Sequence, residues 1–440
     1  MKVLVVGGGG REHALVWKIK SSPLVQEIVC APGNPGTAKL ARNVEIAAND
    51  VQRLVELAER EKPDLVVVGP EEPLVLGLAD QLRKRGVRVF GPGARGARIE
   101  GSKLYAKEIL ERHRIPTGGY KRFDRAGSAK GYLESCKYWP QVVKADGLAA
   151  GKGVFVCADA REACAVVDTL MEQRKLGAAG EQIVVEEFLD GQEVSVLSIT
   201  DGRGLLIFEP AIDHKQVGDG DTGANTGGMG VLSPAPWVTR RLMRQIESRV
   251  LLPTLHALTI EEVEFQGLLY AGLMVNDGGP RVLEFNCRFG DPETQVLVRR
   301  FKSDLVPYLV AAADGKLADM EPPEWDARVC IGVVMCAEGY PGEYRKGDPI
   351  LGLEKADAVG DVVAFVAGAK QQGKALVTSG GRVLCVTALG ADVEEARAKA
   401  YEACGLVRWQ GAFFRRDIGL RRERAPVGPP DSHGESGDVL

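Results

Sequence analysis

The segment Leu283-Glu284-Phe285-Asn286-Cys287-Arg288-Phe289-Gly290-Asp291-Pro292-Glu293-Thr294-Gln295 packs three carboxylates, a carboxamide and a guanidinium into ten residues. Its first half, Arg281 to Asn286, alternates in the manner of a strand, so Glu284 and Asn286 share one face. Two oxygen ligands on a rigid strand suit a hard cation such as Mg²⁺, which keeps only one or two carboxylates beside waters and substrate phosphates. Arg288 continues the alternation, and its forked donors could hold a phosphate or a carboxylate. The same side chains could equally be solvated charges at a sheet edge. Glycine and proline directly after the strand make a tight loop, the kind of segment that carries functional groups.

A second group of chemical residues lies between Val142 and Val156, where two strands flank a small-residue loop with a lysine at each end. This loop is not a P-loop. Only three residues separate Gly147 from Gly151, and Gly153 stands where Ser or Thr is required. Its backbone N–H groups, with Gly147, Gly151 and Gly153 giving flexibility and Lys152 giving charge, could still fold over phosphates. Lys144 falls within the first strand, where a lysine contacts a nucleotide or sits at an exposed edge. Further on, Gln182 to Glu193 reads as a strand running into a turn. The backbone of Glu186, Glu187, Phe188 and Leu189 could face the edge of a purine, with Glu193 returning within reach of ribose hydroxyls. Residues 213–230 are almost all polar or glycine and read as a long ligand-ordered loop. His214 within it is a general base or simply a hydrogen-bonding group.

These groups need a scaffold, and the chain supplies alternating strand and helix signals at its start. Residues 2–6 are apolar, four glycines follow, and a helical pattern runs through Lys20. The pattern fails the dinucleotide fingerprint, because Glu12 and His13 occupy the positions of its third glycine. A helix N-terminus here still favours an anion, and a phosphate-bearing small molecule is expected. Apolar runs at Glu27–Cys30, Leu65–Val68 and Val87–Phe90 alternate with helical stretches near 50–60 and 74–85, which predicts a parallel α/β sheet. The loops Pro32–Gly36, Gly69–Pro73 and Gly91–Gly93 should converge at the carboxyl ends of the strands. Glu71 there is a candidate for sugar hydroxyls or a solvated loop glutamate. Ser102 is a plausible N-cap for a helix opening at Lys103. Towards the end, Arg328–Ala337, Val362–Ala367 and Arg382–Ala388 read as strands and Val393–Ala403 as a helix, forming a small β-rich domain. From Arg421 the chain is polar and rich in Pro and Gly, which predicts a disordered tail. No internal repeat is present.

The 440 residues are 45% hydrophobic and 26% charged, with a formal net charge of −4. That balance gives no electrostatic reason to expect nucleic acid or an anionic membrane. The nine cysteines include no Cys-x-x-Cys and read as reduced, mostly buried thiols. The N-terminal apolar run is too short for a signal peptide, and a cytoplasmic location is expected.

The order of lysines, glycine loop, Glu-Glu-Phe-Leu turn and strand Glu-x-Asn resembles the ATP-grasp enzymes. Within them the chain is similar to the glycinamide ribonucleotide synthetase (phosphoribosylamine–glycine ligase) family over residues 1–420. The likeness rests on Gly9–Ala14, Gly69–Glu71, Glu100–Lys103, Lys144–Val154, Asp213–Lys215, Asn225–Gly230 and Arg288–Thr294. Ala224 and Gly93 depart from it at positions that touch no charged group. The resemblance implies a parallel α/β domain at 1–102 and a two-part ATP-grasp module at 103–326 with a mobile lid at about 122–190. It further implies a β-rich domain at 327–420 ahead of the tail at 421–440. It also implies ligation of glycine to 5-phosphoribosylamine through glycyl phosphate, using ATP with Mg²⁺ or Mn²⁺. Lys103 and Lys144 would bind ATP phosphates under the 147–153 loop, and Glu284 and Asn286 would hold the metal. Arg288 and Lys144 would be catalytic. Gly9, Gly10, Arg11, Glu71, Asp213, Lys215, Arg288 and Asp291 would bind the substrates. Only small-molecule partners are implied, with the chain a monomer or small homo-oligomer. A nucleotide-binding regulator without catalysis is the rival from another class, and the presence of all five residues Lys103, Lys144, Glu284, Asn286 and Arg288 argues against it.

Overall fold

The computed structural model describes residues 1–149 and 153–420. The chain opens with five parallel strands in the order Arg42–Asn43, Glu27–Pro32, Lys2–Gly7, Leu65–Val68, Val89–Phe90. The runs Val3-Leu4-Val5-Val6 and Leu65-Val66-Val67-Val68 are wholly buried, as strands covered by helices on both faces must be. The central strand Lys2–Gly7 is where the order reverses, which opens a crevice at the carboxyl ends. The expected helix at 74–85 is two pieces, Glu71–Val75 and Leu78–Arg83, broken at Gly77, whose φ is +83°.

Two antiparallel sheets follow. One has the order Leu205–Ile207, Gln192–Thr200, Gly267–Asn276, Gly279–Asn286, and the other Tyr120–Phe123, Ile183–Glu187, Gln141–Ala145, Val154–Cys157. The second sheet has its own hydrophobic core with the helices Ala126–Ser135 and Ala160–Val167, built on Leu133, Val143, Val167 and Ile183. It is therefore a small body packed beside the rest.

The last sheet runs Ile212–Asp213, Gly230–Ser233, Val329–Cys336, Arg382–Gly390, Val362–Val366, with helix Val393–Leu406 against it. Two of its five strands thus come from the middle of the chain. The long loop expected at 213–230 is instead these two strands with a hairpin between them, Gln216–Gly218 and Thr222–Asn225. The hairpin is a two-stranded ribbon covering no core, so its polar composition reads as loop. Arg415 fastens it, donating to Asp221 Oδ1 at 2.7 Å and to the Gln216 carbonyl at 3.0 Å. The sequence also leaves unseen the hairpin Ala369–Gln372 and Ala375–Thr378. The polar tail from Arg421 lies outside the described residues. Seven of the nine cysteines are buried, and none is in a disulfide. Among the described residues no helix is long and apolar enough to cross a membrane.

Candidate active site

A cleft of about 1500 Å³ opens between the two antiparallel sheets and reaches the crevice of the first domain. Its floor is the strand Gly279–Asn286, on which Glu284 lies opposite Gly272 and Asn286 opposite Tyr270. A Cβ on Gly272 would stand 3.2 Å from Glu284 Cγ, so glycine leaves the glutamate room to lie against the sheet. Burial alone would raise the Glu284 pKa, but Lys215, Lys103 and Lys144 outweigh it and hold the carboxyl at about 2. Lys215 Nζ lies 3.5 Å from Glu284 and 3.5 Å from Glu193. Arg288 comes two residues past the strand end. It reaches back to Asn286 Oδ1 at 3.0 Å and pairs with Glu71 at 3.2 Å and Glu100 at 2.7 Å. Glu100 also accepts from the Cys287 backbone N–H at 2.7 Å, which fixes where Arg288 leaves the chain.

The opposite wall carries the lysines. Helix Lys103–Arg112 is capped by Ser102, and Asp146 accepts from Ser102 Oγ at 3.0 Å and from Leu104 N–H at 2.7 Å. Lys103 is thereby tied to the end of the strand Gln141–Ala145 that holds Lys144. Burial lowers the Lys103 pKa, partly countered by Glu284. The ammonium of Lys144 donates to the Leu283 carbonyl at 3.1 Å. Gly147 and Gly153 serve close packing: a Cβ would meet Ala179 at 2.8 Å in one case and Ala149 at 2.7 Å in the other. Gly151 and Lys152 lie outside the described residues. Glu187 pairs with Arg281 at 2.8 Å, Phe188 is exposed, and Leu189 is buried, all three lining the cleft.

At the far end, the helix Gly10–Lys20 is capped at Gly9 by a side chain of its own first turn. Glu12 folds back, accepting from the Gly9 N–H at 2.5 Å and from Arg11 at 2.6 Å. Its carboxyl fills the space at Gly7 and Gly69, where a Cβ would stand 2.6 Å and 2.1 Å from it. That filled space also removes the dinucleotide reading. Arg11 and Glu71 line the cleft. Gly9 and Gly10 abut the turn after the floor strand, Gly9 having Asp291 Oδ2 at 3.6 Å from its Cβ position. Asp213 has a buried oxygen, Oδ1, without a hydrogen-bond partner, and burial together with Glu293 raises its pKa. Asp291 is held low by Arg382 and Arg11 against the opposing effect of burial. His214 is buried, its Nδ1 lying 3.3 Å from the Gly230 carbonyl, which favours the hydrogen-bonding role.

Four cleft-lining residues are given no role by the sequence reading: Lys107, Glu100, Arg382 and Tyr270. Lys107 follows Lys103 by four residues, so helical spacing could have flagged it. Arg382, from the last sheet, donates to the carbonyls of Gly227 and of Asp291, the latter at 2.7 Å. Tyr270 donates to Glu293 Oε1 at 2.6 Å, and nothing local marks it. Among the described residues no three His, Cys, Asp or Glu side chains converge on one point. Glu284 and Asn286 still fit a hard cation, since the carboxyl stays ionised and the carboxamide oxygen already accepts from a cationic group.

Three family models together span most of the chain: phosphoribosylglycinamide synthetase N domain at residues 1–100, its ATP-grasp (A) domain at 101–294 and its C domain at 330–421. The phosphoribosylamine–glycine ligase of Haemophilus influenzae is 49% identical over 424 residues, covering 96% of this chain and 98% of that protein. Its counterpart from Escherichia coli K12 is 50% identical over 425 residues, with the same coverage of 96% and 98%. The crystal structure of the Thermotoga maritima phosphoribosylamine–glycine ligase superposes with a TM-score of 0.83 at 33% identity, covering 95% of this chain and 100% of that one. The biotin carboxylase domain of the Hydrogenobacter thermophilus 2-oxoglutarate carboxylase shares the fold at 16% identity, with a TM-score of 0.73 over 94% of this chain and 91% of that one.

Proposed function

The chain belongs to the phosphoribosylglycinamide synthetase family, and from that premise we propose how its cleft carries out the ligation. The enzyme is an ATP-dependent phosphoribosylamine–glycine ligase of purine biosynthesis, joining glycine to 5-phosphoribosylamine. A carboxylate is a poor acyl donor, so an oxygen of glycine's carboxylate attacks the γ-phosphorus and ADP departs. The sugar-bound amine then attacks the acyl carbon of glycyl phosphate. The C–O bond to phosphate breaks, the amine loses a proton, and glycinamide ribonucleotide forms. Positioning and charge neutralisation carry most of such a reaction.

In this assignment Lys103 and Lys144 hold the ATP phosphates under the 147–153 loop. The Glu186–Leu189 backbone faces adenine, and Glu193 faces the ribose. Glu284 and Asn286 hold Mg²⁺ or Mn²⁺, a charge that would lower the repulsion between the β- and γ-phosphates and an incoming carboxylate. Arg288 steadies the transferring phosphoryl group or glycine's carboxylate. Arg11, Glu71, Asp213, Lys215 and Asp291, with the Gly9-Gly10 turn, receive the phosphoribosylamine and glycine. Residues 1–102 then form the substrate domain, 103–326 the ATP-grasp module with a lid at about 122–190, and 327–420 the closing domain. Nine unpaired thiols suit a reducing compartment, and the cytoplasm is the proposed location.

The observation that carries the assignment is Glu284 and Asn286 on one strand face, with Lys103, Lys144, Lys215 and Arg288 lining the same cleft. The test is ADP release with ATP and Mg²⁺, with glycine and freshly generated phosphoribosylamine each added or omitted. Turnover should require both, and Glu284→Ala should abolish it while the protein stays folded. Turnover without either substrate would reject the assignment.

A further inference from the structure

Glu186 is an unusual neighbour for a phosphate-binding lysine, since a buried carboxylate beside Lys144 competes with any anion. On the lid sheet Val142 pairs with Glu186 and Lys144 with Val184, so Lys144 and Glu186 are diagonal neighbours on one face. Lys144 Nζ stands 3.0 Å from Glu186 Oε1, yet that oxygen has no aligned hydrogen bond. Behind it, Lys107 Nζ lies 2.7 Å from Glu186 Oε2. Lys107 also donates to Thr117 Oγ1 at 2.8 Å and to the Gly118 carbonyl at 3.2 Å. An ammonium has three protons, and these three acceptors use them all. Lys107, Lys144 and Glu186 are all buried.

We propose that Lys107 and Glu186 are positioning residues for Lys144: Lys107 neutralises Glu186, so that Glu186 steers the Lys144 ammonium without sequestering it. Lys107 itself never touches the nucleotide. The three side chains together keep a net positive charge, and the surplus is what a phosphate can use. Without Lys107, Lys144 and Glu186 would close into a neutral buried pair, which is hard to open. Glu186 also begins the segment assigned to adenine, so one residue links the base to the phosphate lysine. The inference rests on the reading of Lys144 as a ligand of ATP phosphates.

The test compares ATP turnover with the inhibition constant of adenosine, which fills the base pocket but carries no phosphate. Lys107→Met should raise the KM for ATP by about tenfold and lower kcat, leaving adenosine binding unchanged. Lys107→Arg should restore most of the loss. The double variant Lys107→Met/Glu186→Gln should regain at least about fivefold over Lys107→Met, because it releases Lys144. A double variant as impaired as the single one, or a parallel loss of adenosine binding, would overturn the proposal. Should Lys107→Met fail to fold, Glu186→Gln alone decides. It should bind ATP at least as tightly as wild type with a lower kcat, and weaker ATP binding would reject the idea. Wild-type protein that binds adenosine as tightly as ATP would instead refute the underlying reading of Lys144.

Discussion

Lys215, Lys103 and Lys144 all favour the ionised form of Glu284, and its depressed pKa has a measurable consequence. Its folded value is about 2 against an ordinary 4.5, so its contribution to stability is complete above pH 4.5 and is lost only as pH falls towards 2. The acid limb of the rate profile above pH 5 therefore belongs to other groups. Glu284→Gln, which keeps the shape and removes the charge, should reduce turnover by about a hundredfold or more in steady-state assays, and at neutral pH should also lower the melting temperature while the protein stays folded. His13 gives a pH effect of opposite origin. Its Nδ1 accepts from the Val366 N–H at 2.8 Å, and burial, helped by Lys39, lowers its pKa from 6.5 to about 4. The unfolded chain then takes up a proton that the native protein refuses, so stability is full above pH 6.5 and falls as pH drops towards 4. Urea melts should show a loss of about 2 kcal/mol between pH 7.5 and pH 5, and His13→Gln should remove that slope. Glu284 and Asn286 were legible because strand alternation puts them on one face, whereas Arg288 lies past the strand end and comes to them only by reaching back. The role of Glu100 was not legible, because its partner Arg288 sits on an element far away in the chain, while Lys107, one helical turn after Lys103, could have been read from that spacing.

At the scale of elements, the cap of helix Lys103–Arg112 joins Lys103 and Lys144, the two lysines proposed for the ATP phosphates, into one unit. Asp146 binds the first turn of that helix and directly follows the strand carrying Lys144. Asp146→Ala should lower stability by about 1 kcal/mol in thermal melts, and should weaken ATP more than adenosine in binding titrations. Most strands and helices were visible in the sequence because their apolar residues keep a strict period. The hairpin at 216–225 was not, since a ribbon without a core has no apolar face to report it. The break at Gly77 was also hidden, because a helix pattern continues on both sides of one glycine in the left-handed region.

Across the whole molecule, the last sheet reaches the cleft through Arg382. Arg382 grips the Gly227 and Asp291 carbonyls and lies 3.3 Å from the Asp291 carboxylate, while Tyr340 accepts from the Gly227 N–H at 3.1 Å. Arg382→Met should leave Asp291 poorly paired and cut kcat by about tenfold to a hundredfold, with ATP binding little changed. The three-domain order could be read from the sequence, but this grip could not, because it depends on a strand from the last domain pointing back at the floor. The sheet that holds Arg382 has a further consequence. Two of its five strands, Ile212–Asp213 and Gly230–Ser233, belong to the preceding stretch of chain. A backbone cut between them and Val329 would leave each fragment with a raw, unpaired sheet edge that only the other can cover. The enzyme should therefore behave as a natural split protein: two inert halves, insoluble apart, that regain turnover when co-expressed and report their own reunion.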